Sequence, residues 1–277
     1  CGCAAGNHAL QAERAVAGQA SLTMALLEVR DLRLSFGGLK VLHDISFSVE
    51  KGAINSLIGP NGAGKTSLFN CLTGFYKPKG GSISLGGRPI TGLPPHRITA
   101  LGLARTFQNI RLFKEMTVLE NAMSGQHCRS RHGIMSAILH LPAQRREEEA
   151  IRAAGMRWLD FVGIEQHAHR RAGGLSYGEQ RRLELARALA STPELILLDE
   201  PAAGLNEREK LDLVHLIRRI RDETGVTVLL IEHDMGLVMQ VSEKIVVFDY
   251  GQKIADGPPE AVRTDPRVIE AYLGTEE

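Results

Sequence analysis

A short apolar segment followed by a glycine-rich turn constrains the fold of this chain more than any other feature. Residues 54–58 (INSLI) have the length and composition of a buried strand. The next eight residues are Gly59, Pro60, Asn61, Gly62, Ala63, Gly64, Lys65 and Thr66. Glycines let the backbone turn tightly enough for several N–H groups to face one anion, and a helix starting near Lys65 adds its positive N-terminal dipole. The segment therefore predicts a strand, an anion-binding turn and a helix in succession.

The spacing of these residues matches the P-loop pattern G-x-x-x-x-G-K-[ST]. In such a loop Lys65 contacts the β- and γ-phosphates of ATP, and the Thr66 hydroxyl ligates Mg²⁺. We expect residues 59–66, together with Ser67, to bind the nucleotide. A chance match is the alternative, and the strand before the loop and the helix-forming stretch after it argue against that.

A second apolar segment, residues 195–198, ends in the two carboxylates of Asp199 and Glu200. In P-loop proteins an acidic residue at this place reaches the Mg²⁺, which predicts Asp199 as a metal ligand. Glu200 points elsewhere and is predicted to polarise the attacking water as general base. The alternative is that Asp199 and Glu200 only form a turn that ends the strand.

The order of segments predicts an α/β chain with a helical insertion. Strand-like runs occur at 27–34, 45–49, 54–58, 82–85, 195–198, 226–231 and 245–248. The run at 82–85 indicates an antiparallel hairpin, and the later runs suit strands covered on both faces. We expect a leader at 1–23, an α/β core at 24–110 and 190–262, a helical subdomain at 111–189, and a C-terminal helix and tail at 263–277.

Composition limits the kinds of partner. The chain has 33 Lys and Arg against 32 Asp and Glu, so no overall field attracts nucleic acid or anionic lipid. The longest apolar runs, such as 226–231, are far shorter than a membrane span. Work at a membrane would therefore need a partner protein. Four cysteines, two of them in the first three residues, do not form a disulfide framework and suit a reducing cytosol.

The hexapeptide at 175–180, LSYGEQ, resembles the signature motif of the ATP-binding cassette (ABC) ATPases, usually written LSGGQ. Ser176 and the N–H groups around Gly178 would begin a helix and form a second anion site, with Glu179 at the capping-box position. Taken alone, the segment could be only a helix cap. The resemblance implies that this site, on an outlying helical arm, closes over ATP held by a second subunit.

Other landmarks of that family follow in order. Gln108 matches the Q-loop glutamine, which is implied to sense Mg²⁺ and water and to link to a membrane subunit. His233 matches the switch histidine, implied to contact the γ-phosphate. Phe36 matches the aromatic that stacks on adenine, although an aromatic residue ending a strand is often core packing.

The resemblance extends from residue 26 to 274 and points to the ATPases of branched-chain amino acid importers, specifically the larger of their two types. It is carried by the segments 36–38, 105–113, 115–118, 201–206, 231–235 and 265–274, and by the insertion at 124–150. It implies an ATP hydrolase that uses ATP and Mg²⁺ on the cytoplasmic face of the membrane. The implied partners are a second ATPase subunit (a copy or a close paralogue), transmembrane permeases and, indirectly, a solute-binding protein; no nucleic acid is expected.

Several alternatives stay open. Urea or amide import and lipopolysaccharide export are rival transport functions. A soluble ABC ATPase without a membrane partner is a third alternative, but such proteins usually carry two ATPase halves or long coiled-coil insertions, and this sequence shows neither. A small-molecule P-loop kinase is a fourth, and the signature motif at 175–180 argues against it.

Three residues depart from expectation. Tyr177 replaces the usual glycine, as it also does in the importer group, and Asn206 stands where many ABC proteins carry an aspartate. Asn55 is polar inside the strand before the P-loop, which suggests an edge-facing position or a local bond to the backbone.

Overall fold

The computed structural model describes residues 25–126 and 142–273, and for 142–145, 147 and 273 it describes the backbone only. The predicted leader at 1–23 and the middle of the predicted insertion lie outside the described residues.

Strands form where the apolar runs predict them, and also at three places where no strand was predicted. The strands are β1 Ala25–Phe36, β2 Leu39–Glu50, β3 Ile54–Ile58, β4 Gly80–Leu85, β5 Arg88–Pro89, β6 Leu103–Arg105, β7 Leu195–Asp199, β8 Thr227–Ile231, β9 Lys244–Asp249 and β10 Gln252–Gly257. The unpredicted strands, β5, β6 and β10, are short or polar, so they lack a strong apolar pattern.

Helices occupy the rest of the regular structure. The α-helices are α1 Lys65–Leu72, α2 Pro95–Ala100, α3 Val118–Ser124, α4 Pro142–Phe161, α5 Tyr177–Ala190, α6 Glu207–Thr224, α7 Met235–Val241, α8 Pro259–Arg263 and α9 Pro266–Leu273. Short 3₁₀ turns form at Glu165–His167 and Ala172–Gly174. None of the described helices has both the length and the apolar character needed to cross a membrane.

The larger sheet has the strand order β10-β9-β3-β8-β7-β6. Its strands are parallel except β10, which pairs antiparallel with β9. Every residue of β3, β7 and β8 is buried, as expected for apolar runs covered on both faces. Because neighbouring parallel strands end at the same edge, the residues that follow β3, β7 and β8 meet there.

The smaller sheet is antiparallel, with the order β2-β1-β4-β5. Strands β4 and β5 form the antiparallel hairpin that the run at 82–85 predicts. The predicted α/β fold, with a mixed sheet, an antiparallel sheet and inserted helices, is confirmed.

The described part of 117–190 is helical, as predicted. Within the described residues of this range, β-pairing is limited to one isolated bridge between Thr117 and Arg171. Apolar residues of α4 and α5, such as Leu159 and Leu183, share one hydrophobic core with Leu198 of β7 and Ile217 of α6. The helical arm is thus packed onto the sheet layer rather than separated from it.

Of the two interpretations offered for Asn55, the edge-facing position is wrong. It lies in β3, which pairs with β8 on one side and β9 on the other, so it is central rather than at an edge. The side chain is 1% exposed, and its Oδ1 has no hydrogen-bond partner among the residues the structure describes. The strand order, which no local pattern predicts, is the reason for the error.

Candidate nucleotide-binding site

The turn after β3 adopts backbone conformations that favour glycine. Gly59, Gly62 and Gly64 have φ values of 147°, 84° and 99°. A Cβ on Gly59 would also lie 2.1 Å from the carbonyl oxygen of Phe248. Gly64 is the N-cap of α1, which begins at Lys65 as predicted. The turn therefore has the shape of a cradle whose spaced glycines are needed for the backbone path itself.

Lys65 lies within this turn and is 5% exposed. Its Nζ donates to the carbonyl oxygens of Gly59 at 2.5 Å and Pro60 at 2.8 Å. Burial lowers the pKa of Lys65, while the carboxylates of Glu200 and Asp199 raise it. The Lys65 cation is thus bonded to the glycine turn and interacts electrostatically with the predicted base Glu200 and the predicted metal ligand Asp199.

The Glu200 carboxylate is held between two other predicted residues. Gln108 Nε2 donates to Glu200 Oε2 at 2.6 Å, and His233 Nε2 lies 2.5 Å from Glu200 Oε1. Glu200 has a positive φ of 48°, an uncommon conformation for a residue with a side chain, and its N–H donates to the Ile231 carbonyl at 2.9 Å. The sheet edge therefore brings together all three residues predicted to be catalytic.

Asp199 has a cationic partner that the sequence analysis missed. Arg105 Nη2 donates to Asp199 Oδ2 at 2.6 Å, and both side chains are almost fully buried. The guanidinium also donates to Asn70 Oδ1 at 2.7 Å and lies over the Phe107 ring. No local pattern could have found this contact, because the strand that Arg105 ends, β6, has only three residues and its neighbour β7 is distant in sequence.

Thr66, Gln108 and Asp199 line one cavity of about 300 Å³, together with Asn70, Phe75, Tyr76, Arg105, Phe107, Asn109 and Arg111. These three are the predicted Mg²⁺ ligands. Their hydroxyl, amide and carboxylate oxygens are the hard donors that Mg²⁺ prefers, and the Arg105 guanidinium bonds to Oδ2 of the Asp199 carboxylate. The donor set fits Mg²⁺.

Glu232 is a second residue that the sequence analysis missed. It follows β8, is 3% exposed, and accepts from the backbone N–H of Ala202 at 2.7 Å and of His233 at 3.1 Å. Burial raises the pKa of its carboxyl group, and the backbone N–H donors lower it. Glu232 thus connects the segment after β7 with the turn that carries His233.

The signature segment begins α5 with a capping box. Ser176 Oγ accepts from the Glu179 N–H at 3.4 Å, and the Ser176 N–H donates to Glu179 Oε2 at 2.8 Å. Ser176, Gly178 and Glu179 line a cavity of about 480 Å³ that shares no residue with the cavity of Thr66, Gln108 and Asp199. The structure therefore does not bring these three predicted residues together with the predicted metal ligands.

Phe36 ends β1 and is 49% exposed. Its ring packs edge-on against Tyr76, with the two ring centroids 5.1 Å apart. Phe36 is therefore not a core residue, and about half of its surface is exposed.

Residues 42–203 match the family model described as ABC transporter. That match covers more than half of the chain, and the chain belongs to this family, in which it is an ATP-binding subunit that hydrolyses ATP. Residues 252–277 match a second model, described as branched-chain amino acid ATP-binding cassette transporter.

Within the family, the chain groups with the branched-chain amino acid transport ATP-binding proteins. It is 50% identical over 253 residues to the high-affinity protein BraF of Pseudomonas aeruginosa, covering 91% of this chain and 99% of the relative. It is 47% identical to LivG of Escherichia coli K12 over the same shares of the two chains. A probable LivG of Archaeoglobus fulgidus is 36% identical over 256 residues, or 92% of this chain and 97% of that one. The predicted family is confirmed.

Solved structures agree. A nucleotide-free ATP-binding cassette from an ABC transporter superposes with a TM-score of 0.79 at 33% identity, covering 91% of this chain and all of the other. An ADP-bound conformation of such a cassette gives the same TM-score and coverage at 34% identity.

Proposed function

We propose that this chain hydrolyses ATP bound with Mg²⁺ in order to energise the import of branched-chain amino acids. The cargo is supported by the names of its relatives and by the match at 252–277. The observation that carries the hydrolytic site is the Glu200 carboxylate held between Gln108 and His233, beside the buried cation of Lys65.

The residues around the glycine turn have separate roles in binding phosphate and metal. Lys65 gives up its bonds to the Gly59 and Pro60 carbonyls and binds the β- and γ-phosphates, while the loop N–H groups face the same anion. Thr66 and Asp199, with Gln108, would hold the metal. When bound, Mg²⁺ supplies charge that offsets the phosphate oxygens.

Glu200 accepts the proton of the attacking water, and Gln108 and His233 fix the orientation of its carboxylate. His233 then lies at the end of the site where the γ-phosphate is expected. Phe36, with its exposed ring, offers a stacking surface for adenine.

We propose that the ATP site is completed by a second copy or a close paralogue. Ser176, Gly178 and Glu179 lie at a separate cavity of the same chain, so they are available to nucleotide held by a neighbouring subunit. The dimer would work as a peripheral complex at the cytoplasmic face of the membrane, docked to permeases and served indirectly by a solute-binding protein. The boundaries 24–110 with 190–262, 111–189 and 263–277 remain our proposed division, which is supported by α3, α4 and α5 falling within or at the end of the middle range.

The test is transport in vesicles rebuilt with the permeases and binding protein, offered leucine, urea or lipid in parallel. We expect ATP-dependent uptake of leucine alone, with ATPase activity stimulated by the loaded binding protein. Protein carrying Glu200→Gln is the matched control: it should bind ATP and form the closed dimer without turnover. Urea-dependent stimulation would refute the cargo, and full ATPase activity of Glu200→Gln protein would refute the base.

A further inference from the structure

The signature helix carries a buried ion pair that no part of the proposed chemistry uses. Arg181 and Glu184 lie one turn apart on α5, with Arg181 Nη1 3.2 Å from Glu184 Oε2. Their side chains are 6% and 2% exposed. Burying two charges costs free energy, and a buried pair is by itself weak evidence of a stabilising role. The contacts of the pair with the rest of the molecule therefore indicate its role.

The pair binds the backbone of two consecutive residues, Phe107 and Gln108. Arg181 Nη1 donates to the Phe107 carbonyl at 2.7 Å, and Nη2 donates to the Gln108 carbonyl at 2.6 Å. Glu184 Oε1 accepts from the Phe107 N–H at 3.2 Å. Both charged side chains thus bond to one short segment that lies 73 to 77 residues away in sequence. The guanidinium donates to its carbonyl oxygens, and the carboxylate accepts from one of its N–H groups.

The segment held in this way carries the side chain that reaches the proposed base. Gln108 Nε2 donates to Glu200 Oε2, so a shift of the 107–108 backbone moves the amide relative to the carboxylate. The N-cap of the same helix is Ser176, five residues before Arg181, which is about 7–8 Å along the axis. Tyr177 links the two regions, since its hydroxyl accepts from Arg181 Nη2 at 3.2 Å.

We propose that the Arg181–Glu184 pair is a positioning device: it holds the 107–108 backbone so that Gln108 meets Glu200, and it ties this segment to the helix that presents Ser176. The inference rests on the proposed function of Gln108 and Glu200. Among the described residues, neither Arg181 nor Glu184 bonds to the P-loop, so the pair acts on turnover more than on nucleotide affinity.

The first test is kinetic. Replacing both charges together, Arg181→Met with Glu184→Leu, avoids leaving either member of the pair buried without the other. We expect kcat for ATP to fall by about ten- to a hundredfold, because small misplacements of a positioned group cost this much, with KM for ATP unchanged within about threefold. In a Gln108→Ala background the same replacement should have almost no further effect. If the double replacement lowered kcat by the same factor in the Gln108→Ala background as in the wild-type protein, the inference would be overturned.

Two further variants act as controls. Leu183→Ala removes a fully buried side chain between the paired residues, so it should lower the melting temperature while leaving kcat nearly unchanged below that temperature. Arg181→Lys keeps the charge but lacks the fork that reaches two carbonyls, so it should fold and show a smaller loss of kcat than the double replacement. Wild-type kcat in Arg181→Lys protein, or an equal loss in Leu183→Ala protein, would also contradict the proposal.

The second test does not depend on catalysis. Hydrogen exchange in the nucleotide-free protein should show a faster-exchanging Phe107 amide in the double replacement, but not in Leu183→Ala protein. Unchanged exchange at this amide would overturn the positioning role whatever the ATPase does. If exchange at this amide changes as expected but Gln108→Ala protein keeps full ATPase activity, then the pair does hold the segment and the proposed role of Gln108 is refuted.

Discussion

At the scale of single residues, two adjacent carboxylates at the end of β7 have different surroundings. Asp199 is buried against the Arg105 guanidinium. Glu200 takes a left-handed backbone conformation and turns toward Gln108 and His233. Neighbouring residues can therefore serve as metal ligand and as base, because one is paired with the Arg105 guanidinium while the other is in contact with Gln108 and His233.

Loss of the buried cation should be costly. Arg105→Gln leaves the Asp199 carboxylate buried without its charge partner, so we expect the free energy of unfolding to fall by about 3–5 kcal/mol in urea titrations. Arg30→Gln is the matched control, since Arg30 and Glu28 form an exposed pair, for which the expected loss is below about 1 kcal/mol. Similar losses in the two variants would show that Arg105 does not compensate Asp199.

At the scale of elements, one capping device begins three helices. Thr117 with Glu120, Ser176 with Glu179, and Asn206 with Glu209 form capping boxes at α3, α5 and α6. Asn206 has a structural reason for its identity, because its Oδ1 accepts from the Glu209 N–H at 3.0 Å, a role for which asparagine and aspartate are equally good.

The repeated cap allows the structural and functional roles of Ser176 to be separated. Ser176→Ala and Thr117→Ala should each lose about 1 kcal/mol of unfolding free energy, because each removes an equivalent N-cap. Only Ser176→Ala should also lower ATPase activity, by about tenfold, if its hydroxyl binds nucleotide on the neighbouring subunit. Stability is read from denaturant unfolding and activity from phosphate release; equal activities in the two variants would limit Ser176 to capping.

At the scale of the whole molecule, the parallel strands decide which residues can meet. The turn after β3, the carboxylates ending β7, the histidine after β8 and the glutamine after β6 all lie at one sheet edge. The start of α5 lies at a different cavity. A single copy therefore contains most of the predicted ATP site, and the remaining residues face outward on the arm.

A mixing experiment tests this division. Lys65→Ala disables the P-loop and Ser176→Arg blocks the arm, so each variant alone should be inactive. If the site is shared between subunits, mixing them in equal amounts restores about a quarter of the sites, because mixed dimers contain one intact pair of faces. The measurement is ATPase activity after the subunits are exchanged; no recovery, with mixed dimers shown to be present, would contradict a shared site.

The sequence by itself determined the local features of this protein. The P-loop spacing, the apolar strand runs and the cap at Ser176 follow from backbone conformations and periodicities that a few neighbouring residues set. The motif order also led to the family. The catalytic set Gln108, Glu200 and His233 was predicted through that resemblance and through P-loop chemistry, and the structure places the three side chains in contact.

Only the tertiary structure decided the long-range polar contacts. Arg105 meets Asp199 across 94 residues, and Arg181 meets the Gln108 carbonyl across 73. The strand order placed Asn55 in the centre of the sheet, and β6 was too short for a periodic signal. These contacts depend on which elements become neighbours, and buried charges must find their partners there, because water no longer solvates them.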